Sequence, residues 1–260
     1  MVTFSERLKN VNLFDKIRRY FAFSKEEVKT VIISILILGF VDGFNDGRNT
    51  FNAVFWIQNM IGSILIVALA FLVHQSAQRI SALSTGFQAE YKIWWYGLIG
   101  ALIVAIISNG SIWLIIPGTF ICTMLERHRL GKFRYRLNYW ALGWISFSGT
   151  VANIMLAFFF KALLAIPLFS NNILLEKAIY VNIAFACFSM LPFPNLDGLY
   201  IFFASRPTYV FTYGCIIGAS LLLAFISNIF LILLGALLVG GAMWLIYYLS
   251  FEKGAWKPFG

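Results

Sequence analysis

Long apolar stretches alternate with short polar ones along the whole chain. Val31–Val41 opens an apolar span that ends in the turn-rich DGFNDGRN, and Phe55 to about Leu83 reads as one long helix. The short polar STGFQAEYKI predicts an extended excursion, and Trp94–Ile107 a further span closed by SNG. SIWLIIPGTFICTM holds Pro117 and Gly118 among β-branched residues, so it predicts a strand pair or a re-entrant segment. Ala141–Ile166 and Ala178–Met190 are the next two spans, the second interrupted by LPFPNLDG. Between Arg206 and Glu252 there is no charged residue. That stretch is too long for one helix at about 1.5 Å per residue, and Ser227 and Asn228 divide it into a hairpin. Apolar runs of this length recur as they do in membrane chains. The expected fold is an all-α polytopic membrane protein of about six transmembrane helices with short extended or re-entrant segments.

Composition sharpens this expectation. Of 260 residues, 60% are hydrophobic and 12% charged, about half the charge of an ordinary soluble domain. The net charge of +9 is not spread evenly. Arg7, Lys9, Lys16, Arg18, Arg19, Lys25 and Lys29 precede the first span, and Arg127, Arg129, Lys132, Arg134 and Arg136 cluster between later ones. Basic residues flanking spans mark the cytoplasmic side, so a multi-pass membrane protein with a cytoplasmic N-terminus is expected. No aromatic-basic module accompanies the charge, and nucleic acid is not an expected partner; the lipid bilayer is. Val11, Phe14, Ile17 and Phe21 share one helical face, with Lys16, Arg18 and Arg19 on the other. Residues 1–29 therefore read as an interfacial amphipathic segment, 30–250 as the transmembrane domain and 251–260 as a tail. Cys122, Cys187 and Cys215 are scattered in apolar surroundings and read as buried free thiols.

The chemistry lies in a few polar residues within apolar runs. His74 and Gln78 stand one turn apart on one helical face, with Gln75 beside His74. Pro192 and Pro194 break a span just before Asp197, and non-helical backbone at membrane depth needs cover from protein or a water-filled cavity. Ionisable groups there are candidate functional sites. The same residues could simply hydrogen-bond one another and pack helices, and an interhelical bond from Asn153 or close packing at Gly149 fits as well. Asp42, Asp46 and Arg48 read as a solvated turn.

Three segments, in order, resemble the site-2 proteases, the intramembrane zinc metalloproteases. HQSAQ resembles their HExxH, SFSGTVANI their Gly-rich span with Gly149 and Asn153 matched, and SMLPFPNLDG the stretch that carries the third zinc ligand, matched by Asp197. GFQAEYKIWWYGL and IIPGTFI are similar to the short archaeal members, and the resemblance covers roughly residues 55–205. It implies a site-2-protease-like core in which His74, Gln78 and Asp197 hold the metal-ligand positions, Gln75 that of the catalytic glutamate, and Asn153 and Gly149 a partner- or substrate-binding role. Two of those positions carry amides. An amide oxygen is a weak substitute for imidazole on zinc, and Gln75 cannot take up a proton. No cofactor is therefore expected. The function implied is that of an inactive pseudoprotease binding a transmembrane or extended segment of a membrane-protein client or complex partner. The alternatives are an active zinc-dependent protease with a repaired site, or a structural subunit of a larger complex.

Overall fold

A single 33-residue helix organises the molecule. In the computed structural model, α3 runs Ala53–Thr85; the structure describes residues 13–253 except 49, 113, 117, 126–137, 170 and 227. Its start is set by Asn52, whose side chain accepts from the Val54 and Phe55 N–H groups. Its end is set by Gly86 at φ 84°, a left-handed cap that glycine adopts without Cβ strain. The long helix expected from Phe55 to about Leu83 is thus present, two residues longer at each end.

Around α3 stand α1 (residues 13–20), α2 (Lys25–Gly43), α4 (Trp95–Ile107), α5 (Tyr139–Leu164), α6 (Ile173–Ser189), α7 (Asp197–Ala204), α8 (Arg206–Phe225) and α9 (Ile229–Tyr247). The polar excursion forms β1 (Phe87–Lys92), paired antiparallel with β2 (Thr119–Met124) in the register Phe87 to Met124 and Lys92 to Thr119. SIWLIIPGTFICTM therefore supplies one strand to a partner distant in sequence rather than a hairpin of its own. Among the described residues three helices, α3, α5 and α9 with its continuation to Glu252, are long and apolar enough to cross a membrane. The other expected spans are shorter or more polar: α2 opens with Lys25, Glu26, Glu27 and Lys29, α6 has 17 residues, and α8 begins Arg-Pro-Thr. The molecule is a mostly helical membrane protein.

Packing is close where side chains are small. Glycine lets α8 and α9 touch: a Cβ on Gly240 would run into Cys215 Sγ and lie 2.8 Å from the Phe211 carbonyl oxygen. Phe71 of α3 is fully buried and meets Tyr91 of β1 and Phe185 of α6 edge-on, at centroid distances of 5.0 and 6.0 Å. That aromatic core lies one turn before His74 on α3.

Two charge arrangements differ from the sequence expectation. Asp42 is not part of a solvated turn; it closes α2, is buried, and lies 3.2 Å from Lys177 Nζ of α6. Asp46 and Arg48 do stand in the following loop, with Arg48 exposed over the Phe55 ring. Glu27, one turn before the expected start of the span, is also buried and pairs with Arg79 of α3. Of the expected interfacial helix, residues 13–20 are helical and Phe14 is 75% exposed, while Val11, Arg7 and Lys9 lie outside the described residues. So do Pro117, Ser227, His128 and the whole 127–136 basic cluster.

Candidate functional site

Four helices bring the polar residues together in the middle of the bundle. α3 supplies His74, Gln75 and Gln78, α5 supplies Asn153, α6 supplies Asn182 and α7 begins with Asp197; all six are at most 4% exposed. Asp197 reaches this depth because the chain leaves α6 at Met190 and turns back through Pro192 and Pro194, with Asn195 at φ 65°. Gly198 is required by that fold-back. A Cβ there would collide with the Met190 carbonyl group. Tyr209 of α8 ties down the same carbonyl by donating to it at 3.0 Å.

The hydrogen bonds form a chain whose direction can be assigned. Asn182 Nδ2 donates to the Ala178 carbonyl at 2.8 Å, so its Oδ1 is turned to accept from Asn153 Nδ2 at 3.3 Å. Asn153 Nδ2 also donates to the Ala70 carbonyl at 3.3 Å, which leaves Asn153 Oδ1 facing His74 Nδ1 at 2.9 Å. Nδ1 therefore carries a proton and donates it. His74 Nε2 then meets Asp197 Oδ2 at 2.8 Å, and Gln78 Nε2 donates to Asp197 Oδ1 at 2.8 Å. Both carboxylate oxygens are engaged. Gln78 Oε1 is buried and has no hydrogen-bond partner among the described residues.

His74, Gln78, Asp197 and Asn153 are thus joined in one network, and Gly149 stands behind them: a Cβ there would lie 2.7 Å from His74 Nε2 and 2.8 Å from Gln78 Cγ. Only a glycine on α5 leaves room for these two side chains. Gln75 is buried next to His74 and brings a second neutral amide to this depth. Ser189 donates to the Ala186 carbonyl and lies 3.2 Å from Thr150 Oγ1 on α5. Cys187 is turned away, with Sγ 3.2 Å from Ser220 Oγ of α8. Among the described residues no group of three His, Cys, Asp or Glu side chains converges.

Whether zinc fits this donor set is decided by chemistry. Catalytic zinc sites use three strong protein ligands and a water. Here one imidazole and one carboxylate converge, the third position offers a neutral amide, and the side chain beside His74 is an amide with no basic atom. The set does not fit a catalytic zinc.

Sequence reasoning missed the buried pair below the site. Arg79, the residue after Gln78, donates to Glu27 and to the Phe21 and Ala22 carbonyls at 3.1 and 3.3 Å, with its guanidinium 3.9 Å above the Phe23 ring. Glu27 Oε1 also accepts from the Tyr91 N–H at 2.7 Å, so one carboxylate joins α2, α3 and β1. The visible signal was Ser24-x-x-Glu27, a capping box that is fully formed. It placed the helix start ahead of the first apolar residue.

The geometry defines a membrane-embedded helical protein with a buried polar network, some of whose residues stand at the positions that the sequence likens to those of metalloproteases. Comparison with known proteins points the same way. The chain is 28% identical over 184 residues, 68% of its length and 84% of the other protein's, to "Putative zinc metalloprotease MJ0611" of Methanocaldococcus jannaschii. No family model matches the chain, and no solved structure matches it.

Proposed function

We propose that this chain is a site-2-protease-like membrane protein that does not cleave peptides and instead holds a segment of a membrane-protein client or complex partner. One observation carries the reading: His74 and Gln78 both bond to Asp197, so the residues at the ligand positions satisfy one another, while Gln75 stands where a water-activating carboxylate is needed. Asn153 and Gly149 serve this arrangement from behind, the first by orienting His74 and the second by making room for it.

The partner's seat is the open edge of the small sheet. In the β1–β2 register, Leu125 N donates to the Gly86 carbonyl, so every second residue back along β2 bonds to β1, and Phe120, Cys122 and Met124 point their backbone groups outward. Among the described residues no strand pairs with that edge. An extended segment adds to such an edge by main-chain hydrogen bonds. The edge leads toward the site, because Phe120 packs on Tyr200, 5.2 Å between centroids and one turn beyond Asp197.

The test combines metal content with capture. Purified protein is expected to carry zinc well below one equivalent and to leave a transmembrane reporter peptide intact. A photo-reactive residue at Thr123 is expected to cross-link a membrane protein in cells. Stoichiometric zinc together with cleavage would overturn the proposal in favour of an active protease, and co-purification with one fixed set of proteins would favour the structural subunit.

A further inference from the structure

The α8–α9 hairpin leaves a cleft against α5 that the polar site does not use. Its apolar body encloses about 370 Å³ between Val151 and Ile154 of α5, Cys215 and Ala219 of α8, and Ala236 and Leu237 of α9. Toward the start of α8 the lining changes character. Thr212 is shared with a smaller cavity beside Trp140, Trp144, Ser205 and Thr208. Thr208 in turn is shared with a cavity of about 330 Å³ next to Trp244. Arg206, between the lining residues Ser205 and Pro207 at the start of α8, is exposed, 5.4 Å from the Phe202 ring, with no carboxylate in ion-pair reach among the described residues.

These features select one kind of occupant. From Arg206 to Ala219 α8 rises about 20 Å, at roughly 1.5 Å per residue. That is a little more than the ~15 Å of one hydrocarbon leaflet. A helix needs a channel about 10 Å wide, far more than 370 Å³ provides along this length; a single hydrocarbon chain fits. Tryptophans and hydroxyls at the mouth are the side chains of the headgroup level. Among the described residues next to these cavities the charge is a cation, Arg206, and no acidic residue follows it in the sequence until Glu252. We propose that this cleft is a binding site for an anionic membrane phospholipid, with one acyl chain between α5, α8 and α9 and the phosphate paired with Arg206.

Native mass spectrometry of the full-length protein, titrated with phosphatidylglycerol and phosphatidylcholine of matched chains, tests this. The anionic lipid is expected to be retained preferentially by roughly fivefold, the gain of one basic residue against an anionic lipid. Arg206→Gln should remove the preference, and Val151→Phe, which fills the cleft, should weaken retention of the anionic lipid. Phosphatidylglycerol with a photo-reactive acyl chain should label the cleft walls of α5 and α8 in the unaltered protein, a readout that needs no variant to fold. Equal retention of the two lipids, an unchanged preference in Arg206→Gln, unchanged retention in folded Val151→Phe, or labelling confined to the outer faces of α3 and α9 would each overturn the proposal.

Discussion

Replacing Asp197 in two ways separates the contribution of its charge from that of its hydrogen bonds. Asp197→Ala removes both acceptors and leaves His74 Nε2 and Gln78 Nε2, each 2.8 Å from a carboxylate oxygen, without partners in a site that water does not reach. Bonds to a charged group are worth about 1.5–3 kcal/mol each, but interhelical bonds in membranes average nearer 0.6 kcal/mol and reach about 1.7. Two lost bonds plus the cavity left by the side chain give an expected cost of about 2–4 kcal/mol. Asp197→Asn behaves differently because the network is directional. The His74 Nδ1 proton is held by Asn153 Oδ1, so Nε2 of a neutral ring can accept from the N–H of the introduced amide, while the oxygen of that amide still accepts from Gln78. Every bond survives, and the cost should stay below about 1 kcal/mol. Steric-trap unfolding in bicelles measures both. If the asparagine variant is as damaged as the alanine variant, the contact depends on an ion pair between Asp197 and a doubly protonated His74 rather than on hydrogen bonds that an amide can replace. If neither loses more than about 0.5 kcal/mol, the network contributes nothing to stability.

The remaining predictions follow from single contacts. Glu27→Ala leaves Arg79 buried without its charge partner and should cost about 3–5 kcal/mol, read in the same unfolding assay; a cost under about 1 kcal/mol would mean that water reaches the pair. Gly149→Ala drives a methyl into His74 and Gln78, at 2.7 and 2.8 Å, and should cost about 1–3 kcal/mol, whereas a wild-type melting curve would show that α5 can move aside freely. Burial pushes the Cys122 thiol up to about 12, so its thiolate is suppressed at neutral pH, and maleimide labelling should rise about tenfold per pH unit through pH 8–11; a plateau near pH 9 would show that the Cys122 thiol itself is not shielded from water. Gln75→Glu with Gln78→His should bind near one equivalent of zinc by elemental analysis, because Asp197 already faces His74; a folded double variant without zinc would count against the family resemblance.

What could be read ahead of the structure was local. The apolar run from Phe55, the polar excursion after it and the prolines before Asp197 each act within a few residues, and they correspond to α3, β1 and the turn into α7. His74 and Gln78 were placed on one face by helical spacing alone, and both do reach Asp197. The partners of buried charges were not legible. Asp42 looks like a loop residue until Lys177 is brought beside it, and Glu27 and Arg79 are separated by a whole helix and a loop. Composition shows that a charge exists, and only packing shows what neutralises it. The span count rests on the same local signal: apolar periodicity registers α2, α6 and α8 along with the rest, whereas length and terminal charge set α3, α5 and α9 apart from them.

The two glutamines answer a constraint that any site at this depth must meet. A carboxylate in an apolar interior has to be neutralised or fully hydrogen-bonded. In a zinc site of the resembling pattern the metal would do this; here Asp197 is served by an imidazole on one oxygen and an amide N–H on the other. Glutamine at position 78 is long enough to make that bond from the next turn of α3, and it brings no charge of its own that would need a partner. A glutamate at position 75 would add a second buried carboxylate with no metal to share its proton chemistry, and the amide avoids that cost. What remains is Gln78 Oε1, an acceptor the network does not use. An unpaired acceptor of this kind costs about 1–3 kcal/mol, so any group that brings an N–H or O–H to it from a bound partner gains that amount. The amide at position 78 thus leaves the site ready to hold a donor.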